Sequence, residues 1–238
     1  MAVFEVVMDL LIPARCVCCG ERLLRNERHL CLSCLADIPF TYFWTTSHNK
    51  MADAFNSLIQ KALPDDAPYQ PYSRATALFY YQGAYESLTK AVKYGGDARL
   101  GVWLGRQLGV RLAEAGFQTP VTAVVPGPLH WRRRWKRGYN QAELIARGAA
   151  AALGVPLRTD LLRKARSTGS QTALSQEERL ANVARAFRAV GQPPAAPCHI
   201  LLIDDVFTTG ATLFAARQAL LAAAPNLTIS VATLAYAP

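Results

Sequence analysis

The sequence predicts an α/β fold, a parallel sheet flanked by helices, with a small N-terminal four-cysteine zinc module. Three observations carry that prediction. Short apolar runs of strand length alternate with longer stretches of helical periodicity. Four cysteines fall as Cys16–x2–Cys19–x11–Cys31–x2–Cys34, the spacing of two metal knuckles. The chain has 238 residues, and at roughly 150 residues per domain that leaves room for one main domain and a small appendage. The composition, 51% hydrophobic and 18% charged, supports a sizeable core and excludes wholesale disorder.

The elements follow in order. Met1 to Ile12 is apolar but interrupted by Glu5 and Asp9, with no basic residue ahead of it. That is the reverse of a signal peptide, and Phe4, Val7, Met8 and Leu11 fall at helical spacing instead. No apolar run reaches the roughly 18–20 residues of a membrane span, so a cytoplasmic location is expected. In the cysteine module, two residues between thiolates let a tight turn aim both sulfurs at one ion. Cys16, Cys19, Cys31 and Cys34 would close a tetrahedral structural zinc site, and metal binding would then be folding energy. A redox CxxC is the alternative and wants a βαβ setting that this segment lacks. Cys18 is surplus and could replace Cys16 or Cys19, and His29 is a weak competitor for the metal. Cys198 reads as a small buried hydrophobe.

A helix is expected over Met51–Leu63, then a linker through Pro64, Pro68 and Pro71. The linker divides the chain into a zinc-binding module with flanking helices, 1–70, and a main domain, 71–238. The main domain should hold a strand at Ala75–Tyr81, helices at Tyr85–Lys93 and Leu100–Ala115, and a strand at Val121–Val125 closed by Pro126-Gly127-Pro128. An Ala-rich helix from Asn140 to Leu153 follows, and Ser175 with Glu178 forms a capping box opening a helix to Ala184. After a turn-rich connector at Gly191–Pro197 come a strand at Ile200–Ile203, a helix at Thr212–Ala223 and a closing strand at Leu227–Leu234.

The stretch from Leu201 to Thr212 carries the most chemistry. An apolar strand emerges into Asp204 and Asp205, then a hydroxyl-rich turn with Thr208, Thr209 and Gly210, then Ala211 and Thr212 at a helix start. Ligands of open α/β sheets bind beyond the carboxyl ends of the strands, and a helix N-terminus there presents N–H groups to a phosphate. The carboxylates would accept hydrogen bonds from vicinal sugar hydroxyls. The pattern describes a site for a sugar 5-phosphate. It is no Walker loop, since it has neither GxxxxGK[ST] nor a lysine.

Asp204–Thr212 resembles the phosphoribosyl-pyrophosphate signature of type I phosphoribosyltransferases. The chain as a whole resembles the ComF/GntX family of competence-associated, phosphoribosyltransferase-like proteins. The supporting pieces, in family order, are the cysteine knuckles, Lys93-Tyr94, Val125-Pro126-Gly127-Pro128-Leu129-His130 and Arg137-Gly138-Tyr139-Asn140-Gln141-Ala142. Arg163 to Arg166, Gln171-Thr172-Ala173-Leu174, and Arg179 with Asn182 complete them. Gly127 departs from the pattern, which usually has an aliphatic residue between the prolines.

The resemblance implies a type I phosphoribosyltransferase-like fold. Asp204 and Asp205 would hold the ribose hydroxyls as the catalytic carboxylates, although neither has an evident role as a nucleophile. Thr208, Thr209, Gly210, Ala211 and Thr212 would hold the 5-phosphate, and Pro126, Gly127 and Pro128 would approach the pyrophosphate. Mg²⁺ would bridge pyrophosphate and ribose oxygens while a nucleophile displaces pyrophosphate at the anomeric carbon. The resemblance also implies a link to DNA uptake. Lys93-Tyr94-Gly95-Gly96-Asp97 could end a helix and reach the site, or Tyr94 could simply pack.

The charge distribution fits an anion site. Residues 120–190 carry 13 basic and 4 acidic groups, net +9, whereas residues 1–119 are net +1 and 191–238 net −1. The densest part, Trp131 to Arg137, has three readings: pyrophosphate recognition through Arg137, single-stranded DNA binding with Trp131 or Trp135 stacking bases, or a solvated basic face. Ser167–Thr172 resembles the loop that closes over such active sites, or is a plain surface loop. Two functional classes remain open, a Mg²⁺-dependent phosphoribosyltransferase and a non-catalytic ligand sensor acting on single-stranded DNA. A third and weaker role is docking of a competence-machinery protein by the zinc module.

Overall fold

A computed structural model describes residues 14–64, 70–116, 121–128, 139–164, 186–192 and 198–238. The expected helix in Met1–Ile12, the centre of the linker, the basic stretch Trp131–Arg137, the loop Ser167–Thr172, the helix from Ser175, and residues 193–197 of the late connector lie outside them.

The cysteine module is stitched by two short antiparallel bridges, Arg15 to Arg22 and Arg28 to Leu30. A one-turn helix, α1 (Leu32–Ala36), starts where the Cys31 thiol accepts the Cys34 N–H. α2 (Lys50–Lys61) starts at Asn49, whose side chain accepts the Ala52 N–H. That Asn also donates to Ala75 O at 3.0 Å, tying the helix start to the first strand. Met51, Phe55 and Ile59, four residues apart, form its buried stripe.

β1 (Ala75–Tyr80), α3 (Glu86–Tyr94), α4 (Ala98–Glu114), β2 (Ala123–Pro126) and α5 (Gln141–Leu153) follow. Next are β3 (Leu162–Lys164), β4 (Phe187–Ala189), β5 (His199–Phe207), α6 (Ala211–Ala223) and β6 (Thr228–Tyr236). The main sheet has the order β1-β6-β5-β2, and every pairing in it is parallel. β3 and β4 form a separate antiparallel pair. The outer edge of β1 is covered rather than open: Tyr80 N donates to Pro39 O at 2.9 Å and Thr41 N to Leu78 O at 3.2 Å.

Successive residues of β5 point to opposite faces, and both faces are dry. Ile200 and Leu202 pack with Met51, Phe55, Leu213 and Phe214 of α2 and α6. Leu201 and Ile203 pack with Leu88, Val92, Leu104 and Ile145 of α3, α4 and α5. Helices therefore cover both faces, as the uninterrupted apolar run in β5 requires. The N-terminal segment contributes to both clusters: Cys16, Leu30, Ile38 and Trp44 join the second, and Phe43 joins the first.

Two strands run further than the sequence predicts. β5 continues through Asp204 and Asp205 to Phe207 because its ladder with β6 persists to Phe207–Tyr236. Two carboxylates end an apolar run on paper but not a hydrogen-bonded ladder. The β3–β4 pair escapes sequence reading because three-residue strands, Leu-Arg-Lys and Phe-Arg-Ala, are too short to establish a period.

α4 and α5 approach closely through glycine. A Cβ on Gly105 would lie 2.0 Å from Ile145 O, and one on Gly148 would lie 2.0 Å from Val102 O. Neither carbonyl can yield without separating the helices. Gly148→Ala is therefore expected to destabilise the chain by about 3 kcal/mol, the upper end for overpacking, read as a lower urea midpoint at unchanged m-value. An unchanged midpoint would mean that the helices are not held this closely.

Candidate functional site

The chain leaves adjacent strands β2 and β5 in opposite directions, toward α5 on one face and α6 on the other. Such divergence opens a crevice at the carboxyl end of a parallel sheet. β2 stops at Pro126, opposite Ile203, while β6 continues beside Asp204. Asp204 and Asp205 thus stand where β5 has outrun its neighbour.

The turn after β2 forms one wall. Gly127 N donates to Ile203 O at 2.7 Å, which extends the pairing by one bond. A Cβ on Gly127 would stand 3.5 Å from the Asp204 carboxyl carbon. That is ordinary contact, so a Cβ would be accommodated here beside Asp204. Gly127 O accepts from Asn140 Nδ2 at 3.0 Å, and Asn140 Oδ1 accepts the Ala142 N–H at 3.2 Å. The cap of α5 therefore also fixes the turn. Tyr139 OH donates to Val92 O at 2.9 Å, joining the same corner to the end of α3.

One ammonium group contacts the carboxylates, and a second acts on them electrostatically. Lys93, in the last turn of α3, places Nζ 3.0 Å from Asp205 Oδ2. Lys164, on β3, acts on Asp204 electrostatically. Burial first, and the Asp205 charge second, push the Asp204 carboxyl up to about 7. The Asp205 N–H, Lys93 and Lys164 offset part of that, the N–H by donating to Asp204 Oδ1 at 2.9 Å.

The loop after β5 forms the other wall. Thr208, Thr209 and Thr212 are exposed. Gly210 takes a left-handed φ of 76° as the N-cap of α6 and has no side chain to cap it, while Thr209 Oγ1 accepts the Ala211 N–H at a long 3.4 Å. A Cβ at Gly210 would meet two Phe207 ring atoms at 2.7 Å. Phe207 is itself packed edge-on against Phe55 at 6.4 Å. Conformation and space both demand glycine, so the backbone of the loop is anchored while its hydroxyls face outward. α6 has no acidic residue in its first turn, which leaves the positive end of its dipole for an anion.

Asp204, Asp205, Pro126–Pro128 and Thr208–Thr212 thus meet at one end of the sheet, whereas Arg137 lies outside the described residues. Lys93 lies in the last turn of its helix and reaches the site, and Tyr94 is 73% exposed. Asn140 and Lys164 join the site although the sequence pattern assigns neither a part in it. An Asn just before a helical run is the available signal for the first. Nothing local marks the second. A cavity of about 580 Å³, lined by His48, Tyr72, Arg74, His199 and Ser230 among others, lies at the opposite, amino-terminal end of the strands.

The ligand atoms of Cys16, Cys19, Cys31 and Cys34 lie within 4.8 Å of one another. Cys19 Sγ and Cys31 Sγ are 3.7 Å apart, close to the about 3.8 Å edge of a tetrahedron with bonds of about 2.3 Å to zinc. The donor set therefore suits that metal. Burial opposes ionisation of Cys16, but backbone N–H groups of Cys19, Cys31 and Cys18 bring its thiol down to about 6. Cys18 stands outside the cluster, and burial, then the neighbouring thiols, push it up to about 12. His29 turns elsewhere, to Asp97 at 3.1 Å and Trp103 at 5.9 Å between ring centres. Cys198 is buried at 4% exposure. Among the described residues no helix is long and apolar enough to cross a membrane.

No protein-family model matches the chain. It is 36% identical over 108 residues to Competence protein F of Haemophilus influenzae, covering 44% of this chain and 47% of that protein. It is 31% identical over 155 residues to DNA utilization protein YhgH of Salmonella typhimurium, covering 63% and 67%. Competence protein ComFC of Bacillus subtilis matches at 34% over 111 residues, covering 47% and 43%. The chain thus spans about half the length of the Haemophilus protein and two thirds of the Salmonella one. A solved structure, adenine phosphoribosyl transferase from Trypanosoma brucei in complex with AMP, pyrophosphate and ribose-5-phosphate, is similar at a TM-score of 0.39 and 16% identity, over 75% of this chain and 79% of that one. Sequence identity of 31% sustained across two thirds of the Salmonella relative, with two competence proteins matched beside it, shows that the chain belongs to the ComF family.

Proposed function

We propose that the chain binds phosphoribosyl pyrophosphate, or a closely related ribose phosphate, in the crevice between β2 and β5 and transfers phosphoribose with release of pyrophosphate. The observation that carries this reading is the juxtaposition of Asp204 and Asp205 with the glycine-led start of α6 at the carboxyl end of the sheet. In this reading the carboxylates accept hydrogen bonds from the ribose 2- and 3-hydroxyls. Exposed Thr208, Thr209 and Thr212, with the N–H groups of the first turn, hold the 5-phosphate. The turn at Pro126–Pro128, assisted by Arg137, takes the pyrophosphate end.

A nucleophilic nitrogen of the acceptor would form the new bond to the anomeric carbon. The carbon–oxygen bond to pyrophosphate breaks, its electron pair leaves with pyrophosphate, and the acceptor gives up its proton. Negative charge builds on the leaving group, so aimed N–H groups and cations lower the barrier. Magnesium, a hard cation that favours phosphate and carboxylate oxygens and keeps several waters, suits this oxygen-rich crevice and would supply charge neutralisation on the pyrophosphate.

The four-cysteine cluster is proposed as a structural zinc site organising a module over 1–70, with 71–238 as the phosphoribosyltransferase-like part and the cytoplasm as the location. The names of the relatives, competence and DNA utilization proteins, favour a task in DNA uptake. They equally support a second reading, in which the crevice only senses its ligand and the chain handles single-stranded DNA.

Pyrophosphate release measured with phosphoribosyl pyrophosphate, Mg²⁺ and a panel of bases and amines separates these. Turnover with any acceptor is expected for the transferase. Tight binding without release, with single-stranded DNA retained at low salt, would replace it by the sensor, and absence of binding would remove both.

A further inference from the structure

The two carboxylates of the crevice are not alike, and α3 makes the difference. Asp204 lies against the Gly127 turn, its Oδ1 3.6 Å from where a Gly127 Cβ would stand. Asp205 instead meets Lys93, Nζ to Oδ2 at 3.0 Å, with the two side chains only 27% and 18% exposed. A charge-assisted contact so shielded from water is strong and directional. The lysine is also held from behind. Its neighbour Val92 is fully buried and offers its carbonyl to Tyr139 OH at 2.9 Å. Tyr139 in turn adjoins Asn140, which fixes Gly127. The end of the helix that carries Lys93 is therefore tied to the same corner as the turn.

Adjacent carboxylates on one strand form a hard oxygen donor set of the kind divalent cations take. Here an ammonium from the chain already occupies one of those oxygens. We propose that Lys93 is the resident counter-ion of the pair: it fixes Asp205 in place and shuts divalent cations out of the ligand-free crevice, so that metal enters only together with the pyrophosphate-bearing ligand. The last step rests on the function proposed above, whereas the exclusion of metal does not.

Mn²⁺ is the probe, followed by electron paramagnetic resonance on the zinc-loaded full chain without any ribose ligand. The wild type is expected to bind no Mn²⁺ up to about 1 mM, the weak end of carboxylate sites. Lys93→Met should gain one site at least about tenfold tighter, because it removes a unit positive charge beside Asp205. Adding Asp205→Asn to Lys93→Met should abolish the gained site, and Lys93→Arg should remain closed to Mn²⁺. A merely structural lysine would not produce this gain.

The proposal is overturned if the wild type binds Mn²⁺ at a site that Asp205→Asn removes, or if folded Lys93→Met gains none. The wild-type arm can overturn the proposal even where Lys93→Met fails to fold. In parallel, calorimetry of phosphoribosyl pyrophosphate against wild type with and without Mg²⁺ tests the metal-with-ligand step. Absence of ligand binding there overturns the functional reading and leaves the outcome of the Mn²⁺ titrations for Lys93 unaffected.

Discussion

Replacing Asp204 and Asp205 together by Asn is expected to lower the affinity for phosphoribosyl pyrophosphate by about 10²–10⁴-fold, since two hydrogen bonds to charged groups contribute roughly 1.5–3 kcal/mol each. Each Asn keeps one acceptor oxygen but loses the charge that strengthens the bond, and Asp205→Asn also leaves Lys93 facing a neutral partner. Isothermal calorimetry reads the loss, and an unchanged affinity would refute the site. The fold should survive, for a physical reason peculiar to Asp204. Its carboxyl is pushed from 3.8 up to about 7, chiefly by burial, so the folded chain holds a proton there that the unfolded chain has released. A carboxyl raised in this way stabilises the fold in its protonated form. That contribution is fully present below the unfolded value and is lost as pH rises through the folded one. Asp204→Asn, neutral throughout, should therefore match wild type near pH 4 and exceed it at pH 8 by about 1–2 kcal/mol, discounted for its coupling to Asp205 and the two lysines. Ligand affinity of the wild type should move the opposite way, rising from pH 6 to pH 8 as Asp204 ionises and becomes the better acceptor.

The parts of the site that were legible in the sequence are those whose chemistry is local in the chain. Asp204-Asp205-x-x-Thr208-Thr209-Gly210 is a local pattern whose chemistry each residue carries on its own, and the structure assembles it in chain order along β5 and into α6. The core is equally local in origin: Ile200 to Ile203 are apolar on both faces and must be covered on both. The groups that tune the pair are different. Lys164 acts on Asp204 electrostatically from a three-residue strand that pairs across the chain, and Asn140 meets Gly127 only because α5 returns over β2. Lys93 was legible as a residue at the end of a helix, but its partner depends on how α3 is laid across the sheet. Long-range placement has no periodic signature, so a sequence marks the carboxylates and leaves their counter-ions to the fold. The same logic separates the cysteines. Spacing alone favours Cys16 and Cys19 over Cys18, and what completes the choice is the second knuckle closing to within 4.8 Å.

Stripping the metal from the four-cysteine cluster is expected to lower the melting temperature by more than about 10 °C, since metal bound to such a site is folding energy. The reason lies in where the module sits. Cys16 and Leu30 are buried in the cluster that holds Leu88 and Val92 of α3. Tyr85, at the start of α3, donates its hydroxyl to Cys34 O at 3.1 Å, and His29 meets Asp97, the cap of α4, at 3.1 Å. Without metal the knuckles have four thiols and little core of their own to hold them together, so these ties to α3 and α4 loosen with them. Cys31→Ser should reproduce chelation, with less than one zinc per chain by atomic absorption, whereas Cys18→Ser should keep both the metal and the melting temperature. The loss should also be felt at the crevice, because α3 carries Lys93: metal-free protein should bind phosphoribosyl pyrophosphate more weakly even below its own melting temperature. Equal affinity with and without zinc would confine the cluster to the stability of its own module, and an unchanged melting temperature would show that the four cysteines do not depend on a metal at all.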